Sequence, residues 1–115
     1  MERVWVALGG VFGATAVAMA ALAAHARLPT AALEIVRSGV EMQGWHALAL
    51  LFLGVWGGGV CGRLAGIAWA IGVLLFCGSL YGLAFAELRA SLAPAGGVLL
   101  IAGWLLVGMS AWRRQ

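Results

Sequence analysis

Five polar side chains stand inside or beside long apolar runs of this chain and are the first candidates for chemistry: His25, Gln43, His46, Ser79 and Tyr81. Polar groups within a membrane are costly, so they mark candidate sites. Measured along the apolar runs, all five are expected near one face of the bilayer, the side opposite the termini. Thr15, near the midplane, is the main exception.

Two interpretations of this polar layer compete. In the first, its side chains satisfy one another and the helix ends through hydrogen bonds and fix the register of the helices. In the second, they line a small pocket that binds a metal, a quinone or a proton. We favour the first, because buried polar groups usually need only hydrogen-bond partners.

A metal centre has little support in the residue spacing. Met42 or Cys77 together with two histidines would suit copper or zinc, but no H-x-x-H, H-x-x-x-H or C-x-x-C spacing occurs. Cys61 and Cys77 are expected at depths too different for a disulfide. We therefore predict two free thiols, no metal site and no cofactor.

Nucleophilic catalysis is equally poorly supported. Ser79, His46 and Glu41 would supply a Ser-His-acid set, but nothing resembles a nucleophile elbow or a phosphate-binding loop. The sequence pI near 9.7 does not indicate nucleic-acid binding, because most arginines are single and separated by apolar runs. We predict a protein that is not an enzyme.

The elements that must position these residues follow from composition. Of 115 residues, 64% are hydrophobic and 10% charged, against about 25% charged in a soluble domain. A membrane-spanning helix needs about 20 apolar residues. The sequence predicts an all-α, integral membrane four-helix bundle in a single domain, residues 1–115, with spans at about 4–24, 40–61, 64–86 and 92–112.

A short amphipathic helix is predicted between the first two spans, at about 30–39. Leu33, Val36 and Val40 fall on one helical face, with the charged residues elsewhere. Such a segment is typical of a helix lying on the membrane surface. Whether it folds over the polar layer as a lid stays open.

Small residues at helical spacing predict how the spans pack. Eighteen glycines in 115 residues exceed the usual ~7%, and small residues let membrane helices approach closely. The predicted packing positions are Gly9, Gly13, Ala16 and Ala20 in the first span, Gly78 and Gly82 in the third, and Gly96, Gly97 and Gly103 in the fourth. Trp104, at mid-span, is also assigned to packing.

Arginine distribution predicts the orientation. With four spans, both termini and the 62–63 turn share one side, which carries four arginines, Arg3, Arg63, Arg113 and Arg114, against one glutamate, Glu2. The other side has three arginines and three glutamates. The positive-inside rule places the arginine-rich side, with both termini, in the cytoplasm.

Four runs resemble one known family: Ala-Ala-His-Ala at 23–26, Gln-Gly-Trp-His-Ala-Leu-Ala-Leu at 43–50, Phe-Cys-Gly-Ser-Leu-Tyr at 76–81, and Pro-Ala-Gly-Gly at 94–97 followed by Ala-Gly-Trp at 102–104. They are similar, in order, to domain-of-unknown-function family 423, whose animal relatives are the transmembrane protein 256-like proteins. The resemblance implies a four-helix inner-membrane protein without an assigned activity.

The resemblance also implies recurring polar positions, which correspond here to His25, Gln43, His46, Ser79, Tyr81 and Pro94. This chain departs from the family where Met42 and Trp45 replace expected tyrosines and Cys77 replaces an expected small residue.

Two functions follow as hypotheses. The first is a non-enzymatic bilayer protein that packs against a membrane-protein partner, as an accessory subunit, or against itself as a homo-oligomer. The alternative is a small-ligand binding or transport protein that uses the polar layer. The absence of a convincing internal repeat argues against transport.

Overall fold

A computed structural model describes residues 3–89 and 91–113. It contains four helices in the described chain: α1 (Arg3–His25), α2 (Thr30–Trp56), α3 (Gly59–Ala86) and α4 (Ala93–Arg113). No strand occurs in those ranges. The helices form an elongated, flattened bundle with extents of 51 × 24 × 16 Å. The predicted all-α membrane fold is confirmed.

Three of the four helices, α1, α3 and α4, are long and apolar enough to cross a membrane. α2 is not among them, because Glu41, Gln43 and His46 interrupt its apolar sequence. α2 nevertheless packs along both α1 and α3, and Gln43 and His46 are buried. Gln43 and His46 therefore face the bundle interior, where protein and not lipid must satisfy them.

The segment at 30–39 differs from its prediction. It is not a separate interfacial helix but the first turns of α2, which runs unbroken from Thr30 to Trp56. Gly39 lies within the helix, and its lack of a side chain makes room for Tyr81, whose ring would lie 2.7 Å from an added Cβ atom. Val36, one turn earlier, is fully buried between α1 and α3 beside Ala23 and Ala84.

The connection between α2 and α3 also differs. The second span was predicted to end at Cys61 and the third to begin at Leu64, but α2 ends at Trp56 and α3 begins at Gly59. Gly57, Gly58 and Gly59 all have positive φ, at 80°, 76° and 62°. Only glycine enters that region readily, so the glycine run forms the turn and residues 59–63 join α3.

Consecutive helices pack side by side, with α2 and α3 in the middle of the bundle. Near the end that holds Trp5 and Leu53, all four helices contribute to the core. Toward the opposite end, the buried cluster around Val36 comes from α1, α2 and α3. α4 begins only at Ala93, so the two middle helices extend beyond it on that side.

The glycine positions divide into real seams and open faces. Gly9 meets the Ala47 carbonyl oxygen of α2, and Gly96 meets the backbone of Phe76 in α3, at 2.8 and 2.5 Å from an added Cβ atom. Gly103 lies against the Trp69 indole even more closely. Gly13, Gly82 and Gly97 have neighbours at ordinary or slightly tight distances, and Ala16 is buried.

Two predicted packing positions are not closely covered by the residues that the structure describes. Gly78 has no atom within 4 Å of an added Cβ, and Ala20 is exposed. Conversely, Gly66 beside Trp5 and Gly72 beside Leu100 are tight contacts that the spacing argument did not single out.

Candidate functional site

Gln43 lies at the centre of the polar layer and is 5% exposed. Its amide nitrogen donates to the Phe12 carbonyl oxygen at 2.9 Å and to the Thr15 hydroxyl at 2.6 Å. Its amide oxygen accepts from the Tyr81 hydroxyl at 2.7 Å. Because the Phe12 carbonyl can only accept, the orientation of the amide is fixed. One α2 side chain thus links α1 to α3.

Tyr81 reaches Gln43 by crossing Gly39. Its ring packs directly on the glycine, while the Cys77 thiol, one turn earlier on α3, donates to the Gly39 carbonyl oxygen at 3.3 Å. Any larger residue at 39 would displace the tyrosine ring. The α2–α3 contact therefore holds the phenol where its only described partner is the Gln43 amide.

His46, 2% exposed, is held from both ring nitrogens. Nδ1 lies 2.6 Å from the Met42 carbonyl oxygen, and Trp104 Nε1 donates to Nε2 at 3.0 Å. The carbonyl can only accept and the indole can only donate, so Nδ1 carries the proton and Nε2 accepts. His46 is therefore a neutral imidazole whose two nitrogens are both engaged within the chain.

Two tryptophans enclose the His46 ring. Trp69, fully buried, meets it edge-on at a centroid distance of 6.0 Å, and Trp104 does so at 5.7 Å. The two indoles are 4.8 Å apart, and Trp69 Nε1 donates to the Leu100 carbonyl oxygen at 3.2 Å. This cluster ties α2, α3 and α4 together, as Gln43 ties α1, α2 and α3.

The structure places these two clusters deeper than predicted. Gln43 bonds to Phe12 and Thr15, which lie near the midpoint of α1 (Arg3–His25). His46 bonds to Trp104, near the midpoint of α4 (Ala93–Arg113). Because α2 begins ten residues earlier than the predicted second span, its polar residues lie farther from its end and level with the middle of the bundle.

Two of the five predicted layer residues lie elsewhere. His25 is the exposed last residue of α1, ten residues beyond Thr15, or about 15 Å along the helix. The Ser79 hydroxyl accepts the Leu92 backbone amide at 3.0 Å and so holds the approach to α4. The assembled layer consists of Gln43, His46 and Tyr81, joined by Thr15, Trp69 and Trp104.

Sequence reasoning gave Thr15 and Trp104 as separate mid-span residues and did not consider Trp69. The signal for Trp69 was its position three residues after Gly66, on an α3 face rich in small residues. That spacing alone does not tell which helix faces it.

A crevice of about 280 Å³ opens beside the layer, between α1 and α3, and is lined by Thr15, Gln43, Cys77, Gly78 and Tyr81. Among the described residues, no three His, Cys, Asp or Glu side chains lie together as a metal-binding group. Cys61 and Cys77 are both buried free thiols. The amide, hydroxyl and phenol at the crevice are hydrogen-bonded to one another, and the Cys77 thiol donates to the Gly39 carbonyl oxygen.

Comparison with known proteins gives the family. The family described as "Protein of unknown function (DUF423)" matches residues 19–97. The chain belongs to this family. It is 36% identical over 117 residues to a UPF0382 membrane protein of Haemophilus influenzae, covering 96% of this chain and 92% of the relative.

Further relatives match over nearly their full length as well. The UPF0382 inner membrane protein YgdD of Escherichia coli K12 is 35% identical over 123 residues, covering 97% of this chain and 92% of the relative. A UPF0382 membrane protein of Staphylococcus saprophyticus is 30% identical over 118 residues, covering 96% and 98%. No solved structure matches the chain significantly. The protein is thus a membrane protein of a family whose description names no activity.

Proposed function

We propose that this protein acts in the inner membrane without catalysing a reaction, as a packing subunit that associates with another membrane protein or with itself. The observation that carries the proposal is the closed state of the polar layer. Hydrogen bonds to other groups of the same chain engage the side chains of Gln43, His46 and Tyr81. Such a layer fixes the register of the helices. A partner protein or a second copy would then bind to the outer faces of the bundle.

One outer face supports this role. A shallow groove of about 600 Å³ runs between the outward faces of α1 and α2, bordered by Gly10, Gly44 and Leu48; we call it the α1/α2 groove. Gly10 and Gly44 have nothing within 4 Å of an added Cβ atom. Small residues on an open face allow the close backbone approach that drives helix association in membranes.

The test is purification of a tagged chain, produced at its natural level, from its native membrane in mild detergent. The proposal expects one protein, or a second copy of the chain, in fixed ratio. Gly44→Leu fills the groove and is expected to release it. Gly108→Leu, which also meets open space but lies on α4, is the matched control. Recovery of the wild-type chain only as a monomer would contradict the proposal.

Ligand binding is the second candidate, supported by the crevice beside the layer. Its lining combines an amide, a hydroxyl, a phenol and a thiol with apolar walls, a composition suited to a small, partly polar molecule such as a quinone. Gly78→Leu fills the crevice without removing any hydrogen bond of the layer. If this function holds, that variant loses a co-purifying small molecule while Gly108→Leu keeps it.

For the topology, we propose that both termini face the cytoplasm. Trp5 lies against Gly66, so the start of α1 and the α2–α3 turn share one end of the bundle, where Arg3 and Arg63 are exposed. The side chain of Arg113 and all of Glu2 and Arg114 lie outside the described residues. Reporter fusions at the C-terminus test this: a cytoplasmic reporter is expected to be active and an exported one inactive.

A further inference from the structure

Two oppositely charged side chains lie at the end of the α1/α2 groove that is nearer the start of α2. Arg37 and Glu41 line a cavity of about 530 Å³ between α1 and α2. Ala20, Val40 and Glu41 line both this cavity and the apolar groove below it, so the two are continuous. The α1/α2 groove is thus apolar and lined by glycines along most of its length, and it is charged at the end nearer the start of α2.

Neither charge is satisfied within the part of the chain that the structure describes. Arg37 and Glu41 are both exposed, and neither has an ion-pair or hydrogen-bond partner among those residues. They are four residues apart on one helix, with the cation nearer the N-terminus, which is the less favourable order for such a pair. Exposing a charge to lipid costs free energy. We therefore expect Arg37 and Glu41 to pair with groups from outside the chain.

The relative depth of the two charges argues against a lipid headgroup. Glu41 lies one turn, about 6 Å, farther from the start of α2 than Arg37, and so deeper in the bundle. Glu41 is two residues from Gln43, which lies level with the middle of the bundle, whereas the ammonium group of a zwitterionic phospholipid lies at the membrane surface. An anionic lipid brings a partner for Arg37 but none for Glu41.

A second copy of the chain supplies an anion for Arg37 and a cation for Glu41 in the same part of the bilayer. Two copies inserted in the same direction are related by a two-fold axis along the membrane normal, so each residue lies at the depth of its counterpart. In a two-fold interface, residue i meets j and j meets i. Glu41 of each copy then lies one turn, about 6 Å, deeper than Arg37 of the other, an offset that the long arginine side chain can span, and the bare Gly10 and Gly44 let the helices meet closely.

Resting on the proposed packing function, we infer that the α1/α2 groove is a homodimer interface closed by two reciprocal Arg37–Glu41 ion pairs. The interface is self-complementary and needs no other protein. The polar layer stays inside each copy and takes no part in the contact.

Charge reversal with two differently tagged copies tests the inference in native membranes. Arg37→Glu alone and Glu41→Arg alone each place like charges across the interface, so self-capture of either variant should fall about tenfold or more. Mixing the two variants restores opposite charges at both contacts, and capture of one by the other should return to the wild-type level. Glu34→Arg, an exposed charge on the same helix that does not line the groove, should leave capture unchanged.

The outcomes separate the inference from the proposed function. Each variant is first checked for wild-type helix content and thermal stability. A wild-type chain that does not capture itself, or folded variants whose mixture stays uncaptured, overturns the homodimer. If the wild-type chain then brings down a different membrane protein in fixed ratio, the packing function stands without it. If the wild-type chain captures neither itself nor another membrane protein, both the homodimer and the packing function are contradicted.

Discussion

The inward and outward faces of α2 show opposite treatment of polar groups. On the inward face, Gln43 and His46 are almost fully buried and hydrogen-bonded to three other helices between them. On the outward face, Glu41, two residues from Gln43, is exposed and has no partner among the described residues. The first face stabilises the chain itself, and we propose that the second associates with another chain.

The largest expected effect comes from removing the imidazole of the inward face. His46→Ala leaves a cavity between Trp69 and Trp104 and deprives the Trp104 indole of its acceptor, so the free energy of unfolding should fall by about 2–4 kcal/mol. Unfolding by SDS titration in dilute mixed micelles measures it. Trp45→Ala, the adjacent but 55% exposed position, is the control and should change little; equal losses would erase the distinction between the faces.

Next in size is the link between α1 and α3. Gln43→Leu keeps the volume but leaves the Tyr81 hydroxyl and the Thr15 hydroxyl without this partner, which should lower the free energy of unfolding by about 1–3 kcal/mol. The matched change on the outward face, Glu41→Leu, removes no described hydrogen bond and should not destabilise the monomer in the same titration. A destabilising Glu41→Leu with a neutral Gln43→Leu would reverse our assignment.

Two adjacent glycines of α1 sharpen the comparison further. Gly9→Ala puts a Cβ atom 2.8 Å from the Ala47 carbonyl oxygen, and this overpacking should cost about 1–3 kcal/mol. Gly10→Ala meets open space and should stabilise the helix by about 0.5–1 kcal/mol. Thermal unfolding of the two variants side by side is the measurement, and shifts in the same direction would contradict the packing described for α1.

The smallest effect should come from the edge of the layer. Thr15→Val keeps the shape of the side chain and removes one hydrogen bond to Gln43, whose amide nitrogen retains the Phe12 carbonyl. A loss of about 0.5 kcal/mol is expected, the average for one interhelical hydrogen bond in a membrane. A loss as large as that of Gln43→Leu would mean that Thr15, and not the backbone carbonyl, anchors the amide.

Much of the fold was predictable because lipid imposes simple rules on sequence. Apolar run length identified four helices, and small-residue spacing found the close contacts at Gly9, Gly96 and Gly103. At Gly78 the structure places no atom within 4 Å of an added Cβ, since a helical row of small residues does not say whether a helix of the same chain or of another covers it. The α2–α3 turn was misplaced because the positive φ of three consecutive glycines outweighs the arginine at 63 as a turn signal.

The candidate site was only partly predictable. Gln43, His46 and Tyr81 were identified from the cost of polar groups in lipid, and the structure joins the first and last of them directly. Their depth was misjudged because residues 30–39 extend α2 without a break. No local sequence pattern indicated this continuity. His25 and Ser79 were grouped with them by expected depth, but His25 lies about 15 Å beyond Thr15 along α1, and the Ser79 hydroxyl bonds to the approach to α4.

The most direct test of the account is cysteine cross-linking in native membranes, with Cys61→Ala and Cys77→Ser removing the natural thiols. Gly44→Cys places a thiol in the α1/α2 groove, and Gly78→Cys places one at the crevice beside the polar layer; both positions are open. We predict that mild oxidation gives a covalent dimer from Gly44→Cys and not from Gly78→Cys. A dimer from Gly78→Cys alone would make the layer side the contact surface and contradict the account.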